Sequence, residues 1–114
     1  MAADSSETSK RIQELQMFEH NHQALLMQKQ TIQMELNEVL NALQEVQKTK
    51  DAVYKVLGGV MVQSDKSAVI KDLEERKKIL ELKVSAIEKQ EKIIDGRISE
   101  IRNEITALVG KNKS

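Results

Sequence analysis

Two histidines, His20 and His22, stand two residues apart in a chain that contains no cysteine. Residues two apart do not share a helix face, and no nearby cluster of carboxylates or thiols supplies the other ligands that a metal ion needs. No metal site is therefore expected. Serine, histidine and aspartate are all present, but nowhere with a strand-to-helix elbow that would present a nucleophile. Gly58-Gly59 is followed by no helix opening and no phosphate-binding lysine at motif spacing, so it reads as a turn and not as a phosphate cradle. These residues predict no catalytic group and no cofactor, and the enzyme class is rejected. Two charged residues whose placement does carry meaning are Lys29 and Glu91, and their role depends on the elements that hold them.

Charged residues make up 32% of the chain and aromatic residues 2%, a composition that argues against a compact multilayer core. Apolar residues recur instead in alternating steps of three and four: Leu15, Phe18, Leu25, Ile32, Leu36, Val39, Leu43 and Val46, then Ile70, Leu73, Leu80, Val84, Ile87, Ile94, Ile98, Ile101, Ile105 and Leu108. Each ladder is a heptad seam. His22, Lys29 and Arg11 occupy rungs of the first, and Lys77 and Glu91 interrupt the second. The spacing predicts helices over 9–48 and 67–109, each roughly 60 Å long, which must pair along their length. Thr8 or Ser9 is the expected cap of the first helix and Asp65 or Ser67 that of the second, with Gly110 at its end. Residues 1–8 and 110–114 are expected to be flexible tails. Gly96, inside the second helix, should cost about 1 kcal/mol relative to alanine, and is either a compliant point or neutral.

Between the helices lies DAVYKVLGGVMVQSD, Asp51 to Asp65, the only stretch that reads as β-structure. Gly58-Gly59 can supply the positive φ angles of a two-residue turn, which makes 52–64 a hairpin. Leu57 should then face Val60, Val56 should face Met61, and Tyr54 should face Gln63. Val53, Leu57, Val60 and Val62 fall on one face, and Tyr54, Val56 and Met61 on the other. A lone hairpin with apolar residues on both faces and two free edges is not stable alone, so it should pair with other copies and close a barrel between subunits. Because the hairpin returns the chain, the helices should be antiparallel, with facing residue numbers that sum to about 120 when the seams are matched end to end. Val46 then lies near Leu73, and Leu15 near Ile105. The same sum sets Lys29 beside Glu91, a pair that would fix register; the alternative is that each charged head snorkels to solvent on its own.

The order long helix, VYKVLGGVMV hairpin, long helix, together with KILELKVSAIEKQEKIIDGRI in the second helix, closely resembles a prefoldin β-class subunit, especially the archaeal type. The resemblance covers roughly residues 10–109 and is most specific in the hairpin. One hairpin matches the β class; the α class carries two. The resemblance implies a mainly α fold, a long antiparallel two-helix coiled coil whose hairpin completes an intersubunit β-barrel. It implies a hexamer of two α-class and four β-class subunits, a cytoplasmic location, and an ATP-independent holding chaperone that passes unfolded clients to a group II chaperonin. Oligomerisation would use Val53, Tyr54, Val56, Leu57, Gly58, Gly59, Val60, Met61 and Val62. Clients would bind at the coiled-coil tips, where the sequence offers Ile12, Leu15, Met17 and Phe18 on one helix and Ile101, Ile105, Leu108 and Val109 on the other. Ile12, Met17 and Val109 fall off the ladders and should stay partly exposed beside a frayed Phe18, and methionine suits binding many sequences.

The alternative is a structural scaffold or tethering coiled coil without affinity for denatured proteins. Lysine plus arginine equals aspartate plus glutamate at 18 each, scattered along the chain, so no nucleic-acid partner and no membrane surface is expected. No apolar run resembles a signal peptide or a membrane span, and the lack of cysteine fits an intracellular protein.

Overall fold

The computed structural model describes the backbone of residues 2–113 and the side chains of residues 6–110. Helix α1 runs Ala2–Lys48, strand β1 Val53–Leu57, strand β2 Val60–Ser64 and helix α2 Lys66–Lys113. The inner ends follow the expected boundaries closely. Asp65 is the residue before α2, and its carbonyl accepts from Val69 N–H at 3.0 Å, so the helix is entered there and not at Ser67. The outer ends do not follow them. The backbone is helical over 2–8 and 110–113, where tails were expected, so neither Thr8 nor Ser9 caps α1 and Gly110 does not end α2. No proline interrupts either stretch, and a single glycine costs a helix only about 1 kcal/mol. Met1 and Ser114, parts of the expected tails, lie outside the described residues.

Every rung of both ladders within the described side chains is buried or half-buried, the charged rungs included. The chain divides into two units. The hairpin unit, residues 30–85, has a core of Val39, Leu43 and Leu80, against which Ile32, Leu36, Ile70 and Leu73 pack. In it, Lys66 Nζ donates to the Thr49 carbonyl at 3.0 Å and to the Gln47 carbonyl at 3.4 Å, placing a cation on the open C-terminal end of α1. Lys55 Nζ reaches Asp72 Oδ2 at 3.3 Å and ties β1 to α2.

The terminal unit, residues 1–29 and 86–114, buries Ile87, Ile98 and Ile101, the last with no exposed surface. Its cross-helix ion pairs run Arg11 to Glu104, His22 to Asp95 and Lys29 to Glu91. As the number rises along α1 it falls along α2, so the helices are antiparallel in this unit.

The hairpin pairs in the expected register, with Leu57 opposite Val60, Val56 opposite Met61 and Tyr54 opposite Gln63. Gly58 and Gly59 have φ of 54° and 82°, the two positive values that a type I′ turn requires. Directly opposed residues share a face, so Val53, Lys55, Leu57, Val60, Val62 and Ser64 lie on one side and Tyr54, Val56, Met61 and Gln63 on the other.

Candidate functional site: the helix ends and the hairpin

At the helix ends, the ladder residues Leu15, Phe18, Ile105 and Leu108 are half-buried. Ile12, Met17 and Val109, which stand off the ladders, keep 41%, 53% and 38% of their surface exposed. Apolar side chains are thus left open beside a closed seam. Phe18 is not frayed: it lies well inside α1, and Glu19 next to it accepts from Arg102 Nη2 at 3.0 Å. A shallow 250 Å³ groove between Arg11, Glu104, Ala107 and Leu108 adds further apolar surface with a charged rim.

Charged residues flank this seam in a layer that the apolar pattern did not reveal. Glu14 accepts from Arg11 Nη1 at 2.9 Å and from Arg97 Nη2 at 3.0 Å, and Arg97 also donates to Glu100 at 3.1 Å. The Arg11 guanidinium, and after it that of Arg97, holds the Glu14 carboxyl below its ordinary value. Hydrogen bonds to Glu100 and then Glu14 raise Arg97 further above its own. The end-to-end matching that placed Lys29 beside Glu91 does not find the Glu14–Arg97 pair, whose numbers sum to 111 and not 120.

Lys29 and Glu91 are brought together inside the seam. Lys29 Nζ lies 3.3 Å from Glu91 Oε1 and 3.9 Å from Glu88 Oε2. Their side chains are 22% and 15% exposed, and Glu91 Oε1 is buried without a hydrogen bond of good geometry.

The hairpin presents the other apolar surface. Val53 is half-buried against its own unit, while Tyr54, Val56, Leu57, Val60, Met61 and Val62 are all exposed. A Cβ added to Gly58 or Gly59 would meet no atom within 4 Å.

Nothing in either surface has the make-up of a reaction centre. Among the described residues no group of three or more His, Asp or Glu side chains is placed to hold a metal ion, and no helix is long and apolar enough to cross a membrane. His22 pairs with Asp95 at 3.0 Å and is spent in the coil.

Comparison with known proteins places these features. A family model described as "Prefoldin subunit" matches residues 8–112. Prefoldin subunit beta of Thermococcus onnurineus is 34% identical over 98 residues, covering 83% of this chain and 84% of its own length. That of Pyrococcus furiosus is 35% identical over 98 residues, covering 84% of each chain. That of Saccharolobus islandicus is 36% identical over 89 residues, covering 76% of this chain and 71% of its own. The crystal structure of the prefoldin beta subunit from Thermococcus strain KS-1 superposes with a TM-score of 0.85 at 28% identity, over 89% of this chain and 90% of that one. The beta2 subunit of the same strain shares the fold, with a TM-score of 0.69 at 17% identity over 76% of this chain and 95% of that one. The chain belongs to the prefoldin family, as a beta subunit of the archaeal type.

Proposed function

We propose that this chain is a subunit of an ATP-independent holding chaperone, which captures unfolded proteins at its helix ends and transfers them to a group II chaperonin. The observation that carries the reading is the exposure of Ile12, Met17 and Val109 beside a closed seam, in a chain of the prefoldin family. An unfolded protein differs from its folded form mainly in the apolar surface it shows to water, and open apolar side chains recognise that surface without regard to sequence. Leu15, Phe18, Ile105 and Leu108, half-buried next to them, extend the patch when a client displaces water from their exposed edges. The exposed hairpin supports the second part of the reading. Its apolar residues and free edges join those of other subunits in a β-barrel, giving a cytoplasmic hexamer of two α-class and four β-class subunits.

The test is light scattering of a denatured protein diluted into buffer with this chain and an α-class prefoldin subunit, with native mass measured in parallel. Wild type suppresses aggregation without ATP. The triple variant Ile12→Ser, Met17→Ser, Val109→Ser forms the same assembly and loses most of that suppression. A wild-type assembly that leaves aggregation unchanged sinks the chaperone reading and leaves a structural scaffold.

A further inference from the structure

The hairpin joins α2 through Asp65 alone and α1 through residues 49–52. A single side chain spans these two joints. Lys66, the first residue of α2, sends its ammonium across the neck to the Thr49 carbonyl at 3.0 Å and the Gln47 carbonyl at 3.4 Å. Its position does not favour its own helix. A cation at a helix start lies against the positive end of the helix dipole, and the first turn of α2 carries no acidic residue to offset it. The same charge is well placed for α1, whose last carbonyls have no partner within the helix. Lys66 is half-buried in this position. The residue it grips is held from both sides: Thr49 N–H donates to the Glu45 carbonyl at 3.0 Å, and Asp51 N–H donates to Thr49 Oγ1 at 3.2 Å.

We infer that Lys66 is a positioning residue, a clasp that sets the pose of the hairpin on the two helices of its own unit. Without it, a strand pair attached by a short linker on one side and one residue on the other is free to tilt about the neck. With it, the end of α1, the linker, the hairpin and the start of α2 form a closed ring, which removes that freedom. Two weaker features hold the same pose. Val53 at the base of β1 is half-buried, but apolar packing has no direction. The Lys55–Asp72 pair ties β1 to α2, but it is about half open to water and adds little. For its purpose, though not for its geometry, the inference rests on the hairpin-assembly part of the proposed function. A hairpin already held in one pose loses less freedom when it joins other subunits, so the clasp strengthens assembly without touching any partner.

The cysteine-free chain accepts spin labels at Asn37→Cys on α1 and Val60→Cys beside the turn, both exposed positions. Measured on full-length chains diluted until sedimentation shows monomer, the unsubstituted clasp should give one narrow distance between the labels. Lys66→Met keeps the side-chain stem, removes the charge and places a good helix former in α2, so helix content should stay unchanged while the distance broadens. Lys78→Met, which removes an exposed lysine of the same helix, should leave the distance narrow. Mixed with an α-class prefoldin subunit, unlabelled Lys66→Met should assemble about tenfold more weakly than Lys78→Met. A narrow distance in Lys66→Met, equal broadening in Lys78→Met, a loss of helix in Lys66→Met, or equal assembly of the two variants would each overturn the inference. If the wild-type chain does not assemble with the α-class subunit, the assembly reading fails, and the distances still decide whether Lys66 sets the pose.

Discussion

Replacing Lys29 and Glu91 with leucine, singly and together, separates what this pair costs from what it selects. Removing Lys29 alone leaves the Glu91 carboxylate, 15% exposed, without its 3.3 Å cation. An orphaned buried polar group costs about 1–3 kcal/mol, less than the ~3–5 kcal/mol for breaking a fully buried pair. Burying part of a new leucine returns roughly 1–2 kcal/mol, so each single variant should lie between neutral and ~2 kcal/mol less stable than wild type. The double variant places two apolar side chains on the seam and should be about 1–4 kcal/mol more stable. Urea unfolding followed by helical ellipticity, at one fixed protein concentration, gives the coupling energy of the cycle. Register is read separately with spin labels at Gln16→Cys and Asn103→Cys, both exposed positions of the terminal unit. A slip of one heptad moves one helix by about 10 Å along the other, enough to resolve as a second distance. Wild type should show one distance and the double variant two. Single effects that simply add, with coupling below about 0.5 kcal/mol, would refute the pair as a unit. One sharp distance in the double variant would refute its role in register.

Glu14 is held below its ordinary value by Arg11 and then Arg97, so its contribution is present above the unfolded carboxyl value and is lost as pH falls through the folded one. Glu14→Gln should lower the melting temperature at pH 7, and the difference from wild type should shrink as pH falls below the ordinary carboxyl value; a difference that stays constant as the pH is lowered would exclude the ion pairs as its source. Gly58 has a φ of 54° with open space around it, so substitution tests backbone alone. Gly58→Asn should be nearly neutral, while Gly58→Val should cost about 1–2 kcal/mol in chemical unfolding. Gly96→Ala, which also meets no neighbour, should stabilise by about 1 kcal/mol, and a loss of chaperone activity without loss of helix would show that compliance there is used.

The parts of the fold that were legible are those where one residue type permits few alternatives. Two adjacent glycines between β-branched runs fix a two-residue turn, and the turn fixes that Leu57 faces Val60. A seam of ten apolar rungs leaves only one face of α2 to bury. The helix ends were less legible, because Thr8, Ser9 and Gly110 favour boundaries by only about 1 kcal/mol, and a long paired helix can absorb that. The ion pairs flanking the seam were missed for a different reason. Glu14 and Arg97 are each half-buried and meet only because both helices are in register. Their numbers sum to 111, well short of the 120 that aligns Lys29 with Glu91, so the pairing is a diagonal one that neither helix's pattern nor the matching of the seams predicts.

In the proposed function the terminal unit must satisfy two opposed demands, since apolar side chains left free for clients are lost to the coil's own stability. The structure separates the two by position. Ile98 and Ile101 are buried and Leu15, Phe18 and Ile105 close the seam, while Ile12, Met17 and Val109 stand beside it with more of their surface open. On that proposal a client is captured at side chains already open, without unzipping of the helices. Fixation of the ends falls partly to Arg11, Glu14, Glu19, Arg97, Arg102 and Glu104, whose ion pairs cross between the helices. Each such pair is partly open to water and adds little stability on its own, yet charges that flank apolar side chains also keep one coil's open apolar side chains from closing on another's. The hairpin has no comparable protection, because its one charged residue, Lys55, is spent on Asp72. Its edges are suited to be covered permanently, and those of the helix ends to be covered for a time.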